Sequence, residues 1–116
     1  MVVNKPTIIL YCFQPDEDLL REVCAGIEEE GVLYQVLTRE GDLDTLAYEA
    51  AKESMLGSGI GITGTRLAMQ MHHLEKGRNV FELHAPMFWQ CRNLGANSAR
   101  AIKKMPFKPV TGDENL

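Results

Sequence analysis

Apolar residues run almost unbroken from Thr7 to Phe13, until Gln14-Pro15-Asp16 interrupts them. A short run of this kind is the pattern of a strand buried on both faces, as in a parallel sheet. Asp16, Glu17 and Asp18 then set negative charge where a helix begins, and Leu19, Leu20, Val23 and Ile27 recur at helical spacing until Gly31 ends the helix. Residues 32–37 predict a second strand. Past a turn at Gly41, Leu43, Leu46, Ala47, Ala50 and Ala51 share one face of a second helix, which Gly57-Ser58-Gly59 closes. Ile60-Gly61-Ile62 predicts a third short strand. Between residues 67 and 72 the pattern changes to period two, with Leu67, Met69 and Met71 on one side and Ala68, Gln70 and His72 on the other. With Gly64 between them, these two stretches read as a hairpin.

Residues 80–84 add one more strand. A last helix is expected over residues 90–105, with Cys91, Leu94, Ser98, Ala101, Ile102 and Met105 inward and Pro106 and Pro109 stopping it. Strands and helices that alternate in this way build a layered α/β domain. The expected fold is three-layered, a mainly parallel sheet with helices on both faces and one hairpin, of the Rossmann or flavodoxin-like type. The domain is expected over residues 1–110, with a loose tail over residues 111–116.

Length and composition narrow the setting. The chain has 116 residues, 45% hydrophobic and 24% charged, which fits one globular domain. Its N-terminus lacks the pattern of a signal peptide, and no apolar stretch is long enough to cross a membrane. Cys12, Cys24 and Cys91 are odd in number, form no CxxC pair and read as small packing residues in a reducing cytoplasm. Charge is split along the chain. Residues 1–58 carry four Lys or Arg against twelve Asp or Glu, and residues 59–116 carry eight against four, which gives −8 and +4. Such a split suits solvated faces or docking faces of opposite sign. Dispersed basic residues and 7% aromatic content argue against nucleic acid as a partner.

Several motifs suggest chemistry. Gly59-Ile60-Gly61-Ile62-Thr63-Gly64 fits GxGxxG, but a helix precedes it and an alternating strand follows. That order is the reverse of a dinucleotide site, and the stretch reads as a glycine-rich strand and turn. No phosphate-binding GxxxxGK[ST] occurs, so this chain alone is not expected to bind nucleotide. His72 and His73 point to opposite sides of a strand and cannot share an ion with each other, and no catalytic set can be assembled around them or His84. Glu28-Glu29-Glu30 is an anomaly, because three carboxylates in a last helical turn face the negative end of the dipole. They form either a solvated acidic face or the site of something cationic, such as Mg²⁺ or a basic partner surface. Met87-Phe88-Trp89 is a second anomaly, large apolar residues that suit a docking patch or core.

Three segments together carry a resemblance: Gly26-Ile27-Glu28-Glu29-Glu30-Gly31-Val32, the strand Gly59-Ile60-Gly61-Ile62, and Arg92-Asn93-Leu94-Gly95-Ala96-Asn97-Ser98-Ala99-Arg100 with Lys103-Lys104-Met105-Pro106-Phe107 after it. Over residues 7–108 the chain resembles the small (β) subunit of the diol and glycerol dehydratase-reactivating factors. The resemblance implies a non-catalytic, cytoplasmic subunit, with or without a microcompartment around it. It implies a large ATPase subunit as partner, in an α2β2 assembly, and the adenosylcobalamin-dependent dehydratase as a transient one. Subunit exchange would then let damaged cobalamin leave. It also implies a fold like the dehydratase medium (β) subunit and a Mg²⁺ ion at the subunit interface. Glu29 is the matching metal ligand, with Glu28 and Glu30 as weaker candidates. Glu29, Phe88, Trp89, Arg92 and Asn93 are the candidate partner contacts. Residues 67–76 and 85–89 depart from the family's pattern. The dehydratase medium subunit itself and a small ligand-binding domain are the alternatives, and the bare length favours the reactivating factor.

Overall fold

The apolar run after Pro6 lies in the middle of one sheet. The computed structural model describes residues 5–111, in the order β1 (Ile8–Pro15), α1 (Glu17–Glu29), β2 (Tyr34–Thr38), α2 (Leu43–Glu53), β3 (Ser58–Gly64), β4 (Arg66–Met71), β5 (Phe81–His84) and α3 (Phe88–Lys103). The tail expected from residue 111 lies, from residue 112 on, outside the described residues. The strands are ordered β2-β1-β3-β4-β5. β1 pairs in parallel with both β2 and β3, while β3–β4 and β4–β5 are antiparallel. The three-layer α/β fold is present. Its parallel half lies at β2-β1-β3, and the antiparallel part extends past the predicted hairpin to β5.

Period two assigns the faces. Ile8, Leu10 and Cys12 of β1, Ile60 and Ile62 of β3, and Leu67 and Met69 of β4 join the side chains of α1 and α3 in the main core. Ile9 and Tyr11 point the other way, onto Leu46 and Ala50 of α2. Ala68 does the same beside Leu43 and Ala47. Caps fix where the helices begin. The Asp16 carboxylate accepts from the backbone N–H groups of Asp18 and Leu19, both at 3.0 Å, and Asp42 accepts from that of Thr45 at 2.8 Å.

Glycines let both helical layers lie close. On the α2 face, a Cβ at Gly59 would stand 2.2 Å from the backbone nitrogen of Ala51, and one at Gly61 would stand 2.6 Å from that of Ala47. The GxGxxG stretch is therefore a surface on which an alanine-lined helix rests. On the other face, α1 and α3 cross through a reciprocal pair. A Cβ at Gly26 would meet the carbonyl oxygen of Arg92 at 2.0 Å, and one at Gly95 would meet that of Val23 at 2.0 Å.

The last helix differs most from expectation. It starts at Phe88 rather than residue 90, because the Gln90 side chain reaches back to accept from the Met87 backbone N–H at 2.8 Å. It ends at Lys103, since Lys104 is left-handed (φ 58°, ψ 40°) and Pro106 follows. Met105 is thus past the helix and exposed, and Ala101 and Ile102 are only partly buried. Asn93 and Asn97 are interior instead, since the following segment folds back over that side of the helix.

A methyl at the α1–α3 crossing has no room to enter. Gly95→Ala is expected to destabilise the chain by about 3 kcal/mol in urea unfolding. A change under about 0.5 kcal/mol would show that the two helices can separate freely.

Candidate functional site

The crowded carboxylates at the end of α1 meet cations from α3. The crossing at Gly26 and Gly95 carries Arg92 to Glu22 at 3.0 Å and to Glu29 at 2.7 Å. Two turns on, Arg100 reaches Glu30 at 3.0 Å, and Lys103 reaches it at 2.9 Å while also donating to the Glu30 carbonyl. Glu28 accepts from the hydroxyl of Tyr34, at the start of β2. Much of the opposite charge in the two halves of the sequence is therefore used within the chain. Three acidic side chains of one helix and three basic ones of another form a single band.

The members of that band differ in what they leave available. Glu30 is an interior member, with 10% of its side chain exposed. The hydrogen bond from Lys103 does most to hold its carboxyl below the ordinary value of 4.5, against the opposing effect of burial, and Arg100 adds to it. Glu29 is 52% exposed and shares its cation with Glu22. Burial foremost, then the Tyr34 contact in the opposite sense, governs the Cys24 thiol, whose pKa is raised. Beside Glu28, a shallow cleft of about 320 Å³ is lined by Gly31, Val32, Leu33 and Tyr34.

A second arrangement was not foreseen from sequence. The segment after α3 runs back along the helix, held by a row of side chains. Gln90 donates to the Val110 carbonyl at 2.7 Å, Asn93 to that of Pro109 at 2.8 Å, and Arg100 to that of Pro106 at 3.1 Å. Asn97 makes two bonds with Lys108, donating to its carbonyl and accepting from its N–H. The signal was present in the spacing 90, 93, 97, 100, a polar stripe along one helix side. Arg100 belongs to both arrangements, so the carboxylate end of α1 and this segment are tied through one guanidinium.

The candidate contact residues separate accordingly. Phe88 is 54% exposed beside an exposed Met87, whereas Trp89 is half-buried, its indole N–H enclosed without a partner. Arg92 lies on the surface of the α1–α3 layer. Asn93 is 4% exposed and its amide is engaged with Pro109, so in this chain it fastens the returning segment. His72 and His73 are exposed just past the end of β4, while His84 pairs with Arg66 in the register at that strand's other end. The thiols of Cys12 and Cys91 are core groups, pushed up to about 12 mainly by burial.

Comparison with known proteins gives this geometry a family. The model of the dehydratase medium subunit family matches residues 5–108. The chain belongs to that family. It is 31% identical over 112 residues to the diol dehydratase-reactivating factor small subunit of Klebsiella michiganensis, covering 95% of this chain and 90% of that protein. It is 32% identical over 109 residues to the propanediol dehydratase-reactivating factor small subunit of Salmonella typhimurium, covering 92% and 94%. Solved structures agree. A glycerol dehydratase reactivase chain superposes with a TM-score of 0.86 at 28% identity, covering 92% of this chain and all of that one. A chain of a diol dehydratase-reactivating factor, solved in complex with ADP and Mg²⁺, also gives 0.86, at 30% identity over 91% of this chain and all of that one. The two relatives named are thus small subunits of reactivating factors, and the two solved chains share the fold described above. No helix among the described residues is long and apolar enough to cross a membrane.

Because Glu30 has a depressed pKa in the folded chain, its contribution to stability is fully present above the ordinary carboxylate value. It is lost as the pH falls through the lower, folded-state value. Between about pH 5 and pH 3, the thermal midpoint of the native chain should therefore fall more steeply than that of Glu30→Gln. Parallel curves would show that the Lys103 and Arg100 contacts do not favour the ionised form.

Proposed function

We propose that this chain is the small subunit of an ATP-dependent factor that reactivates an adenosylcobalamin-dependent diol or glycerol dehydratase. The observation that carries the reading is the end-to-end likeness, in sequence and in fold, to small subunits of such factors. Its role would be mechanical. A chain from a family named for the dehydratase medium subunit can take that subunit's place for long enough to loosen the enzyme and let damaged cobalamin leave. ATP hydrolysis would lie in a large partner subunit, in an α2β2 assembly in the cytoplasm, and this chain would supply a matching surface without catalysing a reaction.

The acidic end of α1 supports a role in pairing. Mg²⁺ prefers carboxylate and other oxygen ligands, and Glu29 offers a half-exposed carboxylate. If Glu29 turned towards an ion, Arg92 would retain Glu22, so the band within the chain would survive. Among the described residues no group of three or more His, Cys, Asp or Glu side chains could hold a metal. The other ligands would then belong to the large subunit, and the ion would neutralise charge at the shared boundary. Glu28, bonded to Tyr34, and Glu30, held by two cations, are less free to do this.

The test combines the chain with an actin-like ATPase subunit and a glycerol-inactivated dehydratase, given ATP, Mg²⁺ and fresh cofactor. Activity should return only with both subunits present. Stable pairing with a dehydratase large subunit, with turnover and no ATPase, would instead identify a dehydratase medium subunit. Glu29→Gln should weaken pairing with the ATPase subunit by about tenfold, the scale of one lost charge-assisted contact. It should move the thermal midpoint of the isolated chain by less than about 2 °C. EDTA should weaken the native pair and leave the Glu29→Gln pair unchanged; equal sensitivity to EDTA would remove Glu29 from the metal site.

A further inference from the structure

We infer that β2 is a docking edge, to which an extended segment of the large subunit adds as a sixth strand, with apolar side chains at alternate positions and Lys or Arg beside them. This rests on the reading of the chain as a small subunit and names the part of it that makes the contact.

Among the described residues β2 is the end of the sheet, paired on one side only. Its bonding direction can be read from two contacts. The Leu33 carbonyl accepts from the Ile8 N–H at 3.0 Å, and the Arg39 N–H donates to the Cys12 carbonyl at 3.1 Å. In a parallel strand the N–H and C=O of one residue point to the same side, and that side alternates along the chain. Residues 33, 35, 37 and 39 thus face β1, and Tyr34, Val36 and Thr38 direct their backbone groups outward.

Proteins usually protect such an edge with charge, proline, a bulge or brevity. Here Tyr-Gln-Val-Leu-Thr carries no charge and no proline, and its register with β1 runs without a shift from Ile8↔Tyr34 to Cys12↔Thr38. The opposite edge is protected, since β5 has four residues, among them Glu82 and His84. Apolar side chains stand exposed along β2, with Val36 at 41% and Leu33, just before it, at 65%. Leu33 also lines the cleft beside Glu28, a recess for a side chain of the added strand.

Charge selects the occupant. The exposed carboxylates of Glu28, which accepts from the Tyr34 hydroxyl, and Glu40, two residues past Thr38, flank the strand, and the guanidinium of Arg39 is already shared between Glu49 and Glu53. A second copy would bring acid against acid across a two-fold axis. A partner segment with flanking cations gains from the same field, and main-chain pairing supplies the register. The edge adjoins Glu28, whose carboxylate accepts from the Tyr34 hydroxyl, and Glu29 follows it in the chain, so one partner can meet both.

Hydrogen exchange resolved to single amides tests the geometry. On pairing with the large subunit, the amides of Tyr34, Val36 and Thr38 should slow by at least about tenfold, while those of Gln35 and Leu37 are slow throughout. Unchanged exchange at the three outward amides in a complex that does form would overturn the proposal and leave the subunit reading intact. Val36→Pro removes an N–H that faces away from β1, so the isolated chain should fold, and its affinity for the large subunit should drop by about tenfold or more. Val36→Lys is the second variant should that one not fold, and Met55→Lys, at an exposed apolar site elsewhere, should leave affinity unchanged. Native affinity in both Val36 variants would also overturn it. A dimer of the isolated chain that protects the same amides would assign the edge to self-pairing, against the proposal. Failure of the native chain to pair with the large subunit at all would defeat both readings.

Discussion

Two glycines, Gly26 on α1 and Gly95 on α3, allow two helix backbones to meet without side chains between them, and much of the molecule depends on that contact. Close approach sets which residues of the two helices are opposite each other. It carries Arg92, Arg100 and Lys103 onto the acidic side of α1, and it turns the far side of α3 towards the chain that follows. Buried apolar area alone would not fix this alignment, because hydrophobic burial has no preferred direction. The carboxylates that strain the end of α1 in isolation become its means of attachment. Glu28 is exposed but bonded to Tyr34, and Glu30 is held by two cations, which is why the proposed metal contact rests on Glu29 and not on its neighbours.

The other face of the sheet follows the same logic with different residues. Gly59 and Gly61 let α2 lie on β3 through its alanines, a surface that a side chain at either position would lift away. α2 is therefore close-packed on the centre of the sheet, while β2 at one end has, among the described residues, no strand on its outer side and no charged residue within it. The parallel half of the fold thus holds the buried strands β1 and β3 and also an open boundary. The proposed subunit exchange suits such a division, since pairing at the edge would form and break without disturbing the core.

Much of this was legible in the sequence wherever a pattern is local. The apolar run of β1, the stripes of α1 and α2 and the alternation of β4 each report a single periodicity, and each element lies where that periodicity predicts. Contacts between distant residues were not legible. The three glutamates read as an unrelieved charge because their cations lie some seventy positions away, as the Glu30–Arg100 pair does, and no local spacing reveals them. Asn93 reads as a partner contact and Asn97 as part of a family segment; here the backbone of the returning segment satisfies both amides inside the protein. α3 starts two residues earlier than the apolar stripe predicts, since the Gln90 side chain competes with solvent for the Met87 N–H. The family resemblance pointed to Glu29 and to the glycine-containing segments, but the reason those glycines matter is the crossing, which only the assembled chain displays.

Function in this account is a property of surfaces. The cleft at Leu33 connects Glu28, at the acidic end of α1, with the start of β2, whereas α2 covers the other face of the sheet. An experimental structure of the chain bound to the proposed ATPase subunit tests this most directly. The account predicts that the interface contains Glu29 and the outward side of β2, with the Gly26–Gly95 crossing unchanged. An interface built on the exposed face of α2, with β2 left in solvent, would contradict it.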